Sequence, residues 1–408
     1  MNNEINFVDK QLFIEDSATG VKTAITENGK LTDLYIDISG GESWVGRVIL
    51  GRIKTILPGG FAFLDIGSKV NAFMNIKSGH GFKAGQPILV QVLRDASGTK
   101  GMYVGTELSL RGRFIILHRS NSGIIGISRK ITDSREGTRL KNLVRELIPR
   151  GFGCIVRTNA VGSTQTELAS EIEMLHDLHM QIRLRSKYIM PPSTLYPSAA
   201  TETKLLLVDI LSEEFSEIHI SANENIFSEL KESIINLIPN LKKRVFKYQD
   251  DDMGLFDKFS ISTAIRHATD RAVKLPCGGF ITFDETEACV VIDVNTGSNI
   301  GSYGYAETVF RTNINAADAV VYQIRLRNLS GIILIDFIDM ASDDYKRILL
   351  TKLRNSVKFD RVKVEVVGMI GLGMVQLTRK KTRSPLSSIL EQPCPTCSGK
   401  GRVRIADR

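Results

Sequence analysis

Asp293, Asn295 and Asp336 are the residues whose types and placement point most directly to chemistry in this chain of 408 residues. Asp293 and Asn295 close the apolar run ACVVIDVN at 288–295, and Asp336 and Asp339 lie at the end of GIILIDFIDM at 331–340. Between these runs Ala306, Val309, Phe310, Asn313, Ile314, Ala317, Val320, Val321 and Ile324 recur at three- and four-residue steps, the pattern of a helix. Strand, helix, strand is a crossover unit that joins parallel strands with a right-handed connection. The C-terminal ends of the two strands then share one edge of a sheet, the usual ligand side in open α/β sheets. Oxygen ligands gathered there suit Mg²⁺, which takes one or two carboxylates and leaves room for water and a phosphate. The plainer reading is that acidic residues end strands because turns favour them. Against it, Asp336 stands within an apolar run, where an unpaired charge is costly.

A second constellation is Cys394-Pro-Thr-Cys397 followed by Ser-Gly-Lys-Gly. The pair grips from one turn and the glycines permit tight curvature, as in a zinc knuckle. A redox CPxC opens a helix, which Gly399 and Gly401 disfavour. One pair supplies half of a tetrahedral thiolate site. Either a Zn²⁺ is shared across a two-fold homodimer, or a monomer holds a partly hydrated ion. Cys154, Cys277 and Cys289 lie singly in apolar or glycine-rich contexts and read as small core residues. His176 and His179 sit on a charged helical segment with no third ligand nearby, and read as a solvated face. No histidine sits in a Ser/His/Asp or Cys/His arrangement, so nucleophilic catalysis is not indicated.

The elements that must position these groups fall into several domains, since the length implies two to four. Residues 1–42 read as alternating strands with turns at Ala18–Gly20 and Glu27–Gly29. Residues 44–110 are short strands with glycine corners, which suit a closed barrel of the OB type. In FAFLDI, Ala62, Leu64 and Ile66 share one face and Phe61, Phe63 and Asp65 the other. Exposed rings on a barrel wall stack bases; Phe61 is expected instead to pack against a neighbouring domain. Further on, IGISRKI carries Arg129 and Lys130, and GFGCIV runs into Arg157 and Thr158, a set able to grasp a terminal phosphate. A helix at 166–187, a strand LLLVDI, the pattern IHISA and a helix NIFSELKESIINLI follow. After the late strand come Arg379, Lys380, Lys381 and Arg383, which suit either phosphate contacts or a solvated tail.

Composition sets outer bounds. Lys+Arg 53 against Asp+Glu 45 gives a net charge of +8, which favours a polyanionic partner or simply confers solubility. With 42% hydrophobic residues the chain is globular and not disordered. Five cysteines are too few for a disulfide framework. MNNEINFVDKQ lacks the pattern of a secretory signal and no apolar run matches a bilayer, so a cytoplasmic protein without a membrane span is expected.

Taken in order, ACVVIDVNTG, NINAADAVVYQIRLRNLSG, GIILIDFIDM and CPTCSGKGRV resemble the bacterial ribonuclease E/G family over most of its catalytic region. The resemblance implies an α+β multidomain fold. An RNase H-like subdomain would comprise 1–42 and 205–268, with an S1-type OB-fold RNA-binding domain at 43–112 and a 5′-sensor α/β region at 113–204. A DNase I-like α/β catalytic domain would span 269–390, and the zinc link and tail 391–408. By the same resemblance Asp293 and Asp336 hold a catalytic Mg²⁺, Asn295 contacts the scissile phosphate, and Asp339 is a possible additional site residue. Phe63 and Phe73 would stack bases and Lys100 supply a basic contact. Arg129, Lys130, Arg157, Thr158 and Lys363 would sense a 5′-monophosphate, with Lys130 and Lys363 standing where the family often has arginine. Cys394 and Cys397 would share structural Zn²⁺ with a second chain.

The implied activity is Mg²⁺-dependent endonucleolytic cleavage of single-stranded RNA, in RNA processing and decay. It would leave 5′-phosphate and 3′-hydroxyl ends and favour 5′-monophosphorylated RNA. Two departures keep a rival open, an RNA-binding protein on the same fold with weakened catalysis. After DVN the family commonly has a serine, a small residue, then two arginines around a threonine, whereas this chain reads Thr296-Gly297-Ser298-Asn299-Ile300-Gly301. The sequence also runs only to Arg408, without the family's small C-terminal domain. A DNA-directed phosphodiesterase is disfavoured by the OB module and the sensor residues.

Overall fold

The computed structural model describes residues 8–18, 20–38, 44–76, 81–96, 101–120, 123–196, 199–250, 252–297, 304–392, 394–397 and 401. The chain divides into two units, one built from 1–41, 214–227 and 244–408, the other from 42–213 and 228–243.

The first unit contains two sheets. Lys10–Ser17, Gly20–Glu27 and Lys30–Ile38 form an antiparallel meander; Asn28 and Gly29, both at positive φ, make its second turn. Phe215–Ser221 adds parallel to Lys10–Ser17, and Val245–Lys247 parallel to that. The second sheet has six strands in the order Ala272–Lys274, Phe280–Glu285, Cys289–Asn295, Gly331–Asp336, Met374–Arg379, Val364–Met369. Its one parallel pair is Cys289–Asn295 with Gly331–Asp336, joined by the helix Tyr305–Leu326. Val309, Ala316, Ala317, Val320 and Ile324 of that helix bury against Ile292, Ile333, Ile335 and Leu377 of the sheet. The helix stops at Asn328, a positive-φ residue that provides the usual left-handed exit. Its last turn is pinned to the meander by Arg325, whose guanidinium bonds Asp33 at 2.6 Å and Glu27 at 2.8 Å. Helices thus cover one sheet face, while on the other Asp284, Asp293, Ile332 and Asp336 are exposed.

The second unit holds a closed OB-like barrel. Val48–Leu57, Phe61–Asp65, Ala72–Asn75, Tyr103–Gly105 and Pro87–Arg94 pair in that order, and the last pairs back onto the first. Ile49, Ile53, Leu64 and Val90 fill it, and Ser193–Tyr196 adds outside Val48–Leu57. Beside these in sequence is a four-stranded sheet, Ile125–Ile127, Phe152–Val156, Ile115–Arg119 and Ser109–Arg111. It is associated with the helices Ser134–Leu147 and Gln165–Arg185, the second opened by a reciprocal Thr164–Glu167 capping box.

One expected strand is a helix. LLLVDI ends the helix Ala199–Ile210, with Leu207 and Ile210 buried one turn apart. The preceding AATETK extends the run to helical length, so a short apolar stretch that periodicity cannot classify becomes one buried stripe. No helix among the described residues is long and apolar enough to cross a membrane.

Candidate functional site

The parallel register sets Asp293 directly opposite Asp336. Alternation turns Val290, Ile292 and Val294 to the core, and hence Asp293 and Asn295 to the open face; Ile333 and Ile335 fix Asp336 in the same way. Both carboxylates are therefore exposed at the strand exits. This corrects the expectation of a buried Asp336: the apolar run is continuous in sequence but not on this face. Adjacent strands run ~4.8 Å apart, so two like charges face one another on neighbouring backbones. No cation among the described residues forms an ion pair with either. Asn295 Nδ2 donates to Asp293 Oδ2 at 2.7 Å, fixing that carboxylate and leaving the second amide hydrogen for another acceptor.

Asp339 lies on the loop beyond Asp336. Its Oδ1 would stand 3.0 Å from a Cβ at Gly373, whose φ is +78°. Gly373 precedes Met374, the residue paired with Asp336, so Asp339 belongs to the same sheet edge. Asn313 holds this loop. Fully buried in the crossover helix, it donates Nδ2 to the Ile338 carbonyl at 2.8 Å and accepts the Ile338 N–H at 3.1 Å. Sequence reasoning placed Asn313 in the apolar stripe; an amide inside such a stripe was the available signal that a backbone needed a partner there.

An oxygen-only donor set with two opposed carboxylates that have no counter-ion among the described residues fits Mg²⁺, which needs no third protein ligand. Among the described residues no three His, Cys, Asp or Glu side chains gather as a larger metal cluster. At the C-terminal turn, the backbone N–H groups of Cys397 and Thr396 hold the Cys394 thiol below its usual range. Gly401 N–H donates to Cys397 Sγ at 3.3 Å. Each cysteine sulfur thus accepts backbone N–H groups within one turn, an arrangement that suits a zinc knuckle.

On the barrel Phe63 is 37% exposed and paired with Phe73 on the outer wall. Phe61 is 42% exposed on the same wall, so the expectation that it packs away is corrected; its period-two position relative to Phe63 dictates this. Tyr103 and Arg94, not singled out from sequence, continue the row: Tyr103 lies 5.2 Å from Phe73, and the Arg94 guanidinium 4.7 Å from Tyr103. Lys100 lies outside the described residues.

In the other sheet of that unit, Ser128 and Thr158 hydroxyls meet at 3.2 Å and the Lys130 N–H donates to Ser128 Oγ. Arg129 is exposed. Arg157 donates to the Gly112 carbonyl and to Asp209 Oδ1, both at 2.6 Å. Two of its five N–H groups are thus used, and Asp209 orients the rest. Lys363 belongs to the first unit, where it pairs with Glu365 at 3.3 Å.

Other expectations are corrected. His179 is buried at 2% exposure against Phe152, and desolvation lowers its pKa to about 4; it is a core residue, although His176 beside it is half-buried. The helix is charged on average, but position 179 falls on its inner stripe with Leu175 and Ile182. Arg379 and Arg383 form no solvated tail. Arg379 pairs with Asp360 at 2.8 Å, both at 2% exposure, and Arg383 lies over Tyr35 and donates to the Leu34 carbonyl. Cys154, by contrast, is core as expected, with burial pushing its thiol up to about 12.

Comparison with known proteins places the chain itself in one group. The model of the ribonuclease E/G family matches residues 109–382. The chain is 33% identical to ribonuclease G of Haemophilus influenzae and 32% to that of Escherichia coli, over 97% of its length and 84% and 85% of theirs. It is 31% identical to ribonuclease E of H. influenzae over 94% of its length and 43% of that protein.

Proposed function

This chain belongs to the ribonuclease E/G family and is an endoribonuclease, and we propose that it cleaves single-stranded RNA at the Asp293–Asp336 edge with Mg²⁺ as cofactor. The observation that carries the assignment is the register pairing of two exposed carboxylates beside Asn295, neither with an ion-pair partner among the described residues. Asp293 and Asp336 would hold the ion, which when bound polarises a phosphate and lowers the pKa of water. Asn295 orients Asp293 with one amide hydrogen and offers the other to a phosphate oxygen. Asn313 keeps the loop carrying Asp339 against the same edge. Attack by water, without the ribose 2′-hydroxyl, leaves 5′-phosphate and 3′-hydroxyl ends.

In this reading the sheet bearing the pair is the DNase I-like part, the five-stranded sheet the RNase H-like part, and the barrel the S1-type module that holds RNA through Phe63 and Phe73. Ser128, Thr158, Arg129 and the Asp209-oriented Arg157 form a pocket favouring a 5′-monophosphate. The CPTC knuckle shares Zn²⁺ with a second chain, making a homodimer.

The test is cleavage of a fluorescent, 5′-monophosphorylated single strand by the parent and by Asp336→Asn. Cleavage should be lost in the variant. In a chelator, stability should rise by about 0.2–1 kcal/mol, because a like-charge pair has been relieved. Mg²⁺ should stabilise the parent against heat and the variant much less. Mg²⁺-dependent turnover surviving in Asp336→Asn would refute the assignment. The 5′-end preference is checked separately, by comparing 5′-monophosphate with 5′-hydroxyl substrates.

A further inference from the structure

The barrel carries more on its outer wall than two stacking rings. Phe63, Phe73, Tyr103 and Arg94 are successive cross-strand partners on four neighbouring strands and form one line. Three strand spacings of ~4.8 Å make the line roughly 14 Å long. Arg94 joins it because of a local irregularity. The pairing of Pro87–Arg94 with Tyr103–Gly105 is regular at Val92 opposite Val104, then slips so that Arg94 stands opposite Tyr103. In an unbroken ladder Leu93 would take that place and Arg94 would point inward; the extra residue re-aims the side chain. Leu93, displaced by the slip, lies exposed beside Gly105, its Cδ1 2.9 Å from where a Cβ at Gly105 would stand. The result is an exposed guanidinium lying 4.7 Å from the ring of a half-buried tyrosine. No carboxylate among the described residues forms an ion pair with Arg94.

We propose that Arg94 is a further nucleotide subsite, resting on the reading of this wall as an RNA platform. Tyr103 is its positioning residue: ring against guanidinium holds the fork flat. The outer plane of the guanidinium then stacks a base, and its N–H groups are free to donate to a phosphate of the same strand. The ligand is single-stranded RNA running past Phe73 toward the Pro87–Arg94 strand. A free arginine on a flexible stem would supply charge alone; one braced by an aromatic ring supplies a plane as well.

The test is fluorescence anisotropy of labelled oligoribonucleotides of increasing length on the full chain, comparing the parent with Arg94→Ala, Arg94→Lys and Phe73→Ala. Arg94→Ala should weaken binding of the longer strands by about fivefold to a hundredfold, the range of one lost base stack. Strands too short to pass Phe73 should bind parent and Arg94→Ala alike. Arg94→Lys should keep the salt dependence of the parent yet recover little of the affinity. If Phe73→Ala weakens binding while Arg94→Ala does not, the subsite is overturned and the platform stands. Full affinity in Arg94→Lys would overturn the stacking role in favour of a point charge. Normal binding by all three variants would remove the platform reading itself, and the subsite with it.

Discussion

Asn313 offers the sharpest test of how the acidic edge is held. Its side chain is fully buried and makes two bonds to one residue of the loop between Asp336 and Asp339, at 2.8 and 3.1 Å. Asn313→Ala removes both partners and leaves the Ile338 N–H and carbonyl unsatisfied. At about 1–3 kcal/mol for each buried polar group left unpaired, and with Ile338 only half-buried, the expected loss is about 2–4 kcal/mol. The loop relaxes toward solvent, and cleavage should fall on the order of a hundredfold, the scale of an ångström-sized misplacement. Asn313→Asp refines the argument. A carboxylate still accepts the Ile338 N–H, but it sets an anionic oxygen against the carbonyl, so only the protonated form reproduces both bonds. That preference raises the folded-state pKa above the ~3.9 of an unfolded aspartate. The variant should therefore match the parent below about pH 4 and lose stability as pH rises through the folded pKa. Urea unfolding from pH 4 to 8, with cleavage rates at neutral pH, reads both effects. An Asn313→Ala protein with the parental midpoint and rate would refute the reasoning.

His179, held neutral by burial with a pKa of about 4, makes the fold acid-sensitive. The unfolded chain binds the proton near pH 6.5, so stability is full above that and falls toward pH 4, by about 2 kcal/mol at pH 5; His179→Leu should flatten this dependence in denaturant titrations, and parallel parent and variant curves would contradict it. Asp360→Asn strands the buried Arg379 guanidinium and should cost about 3–5 kcal/mol, whereas Asp360→Leu combined with Arg379→Met should recover most of that by chemical denaturation. Metal analysis should find one zinc per two chains, and Cys394→Ser with Cys397→Ser should give monomers by light scattering; one zinc per chain would remove the shared site.

The acidic edge was largely legible because three separate periodicities met there. Two apolar runs of strand length flank a stripe of helical spacing, and that alone brings Asp293 and Asp336 to one edge. Their one-to-one register was not legible, since it depends on which hydrogen bonds the parallel strands choose. Nor was their exposure: a continuous run such as GIILIDF suggests burial on both faces, while the fold covers only one. Asn313 was rightly placed on the inner stripe, but that place says nothing about what its amide meets across the packing interface, whereas His179 was misread as solvated because the charge of its helix on average hid its inner-stripe position. Arg94 depends on a bulge, and no local pattern announces where a ladder will slip.

The unit bearing the acidic pair is also discontinuous, and this has a consequence in time. Strand Lys10–Ser17 needs Phe215–Ser221 as its parallel neighbour, and that partner emerges from the ribosome only after the whole intervening stretch. At about 5–20 residues per second the delay is on the order of ten to forty seconds. Throughout it the nascent hairpin presents an unpaired edge, the feature that invites pairing with a foreign chain. The strand reads KQLFIEDS, and its Lys10, Glu15 and Asp16 keep charge along that edge. Those charges guard the chain before it has any activity, during the interval when translation has outrun assembly.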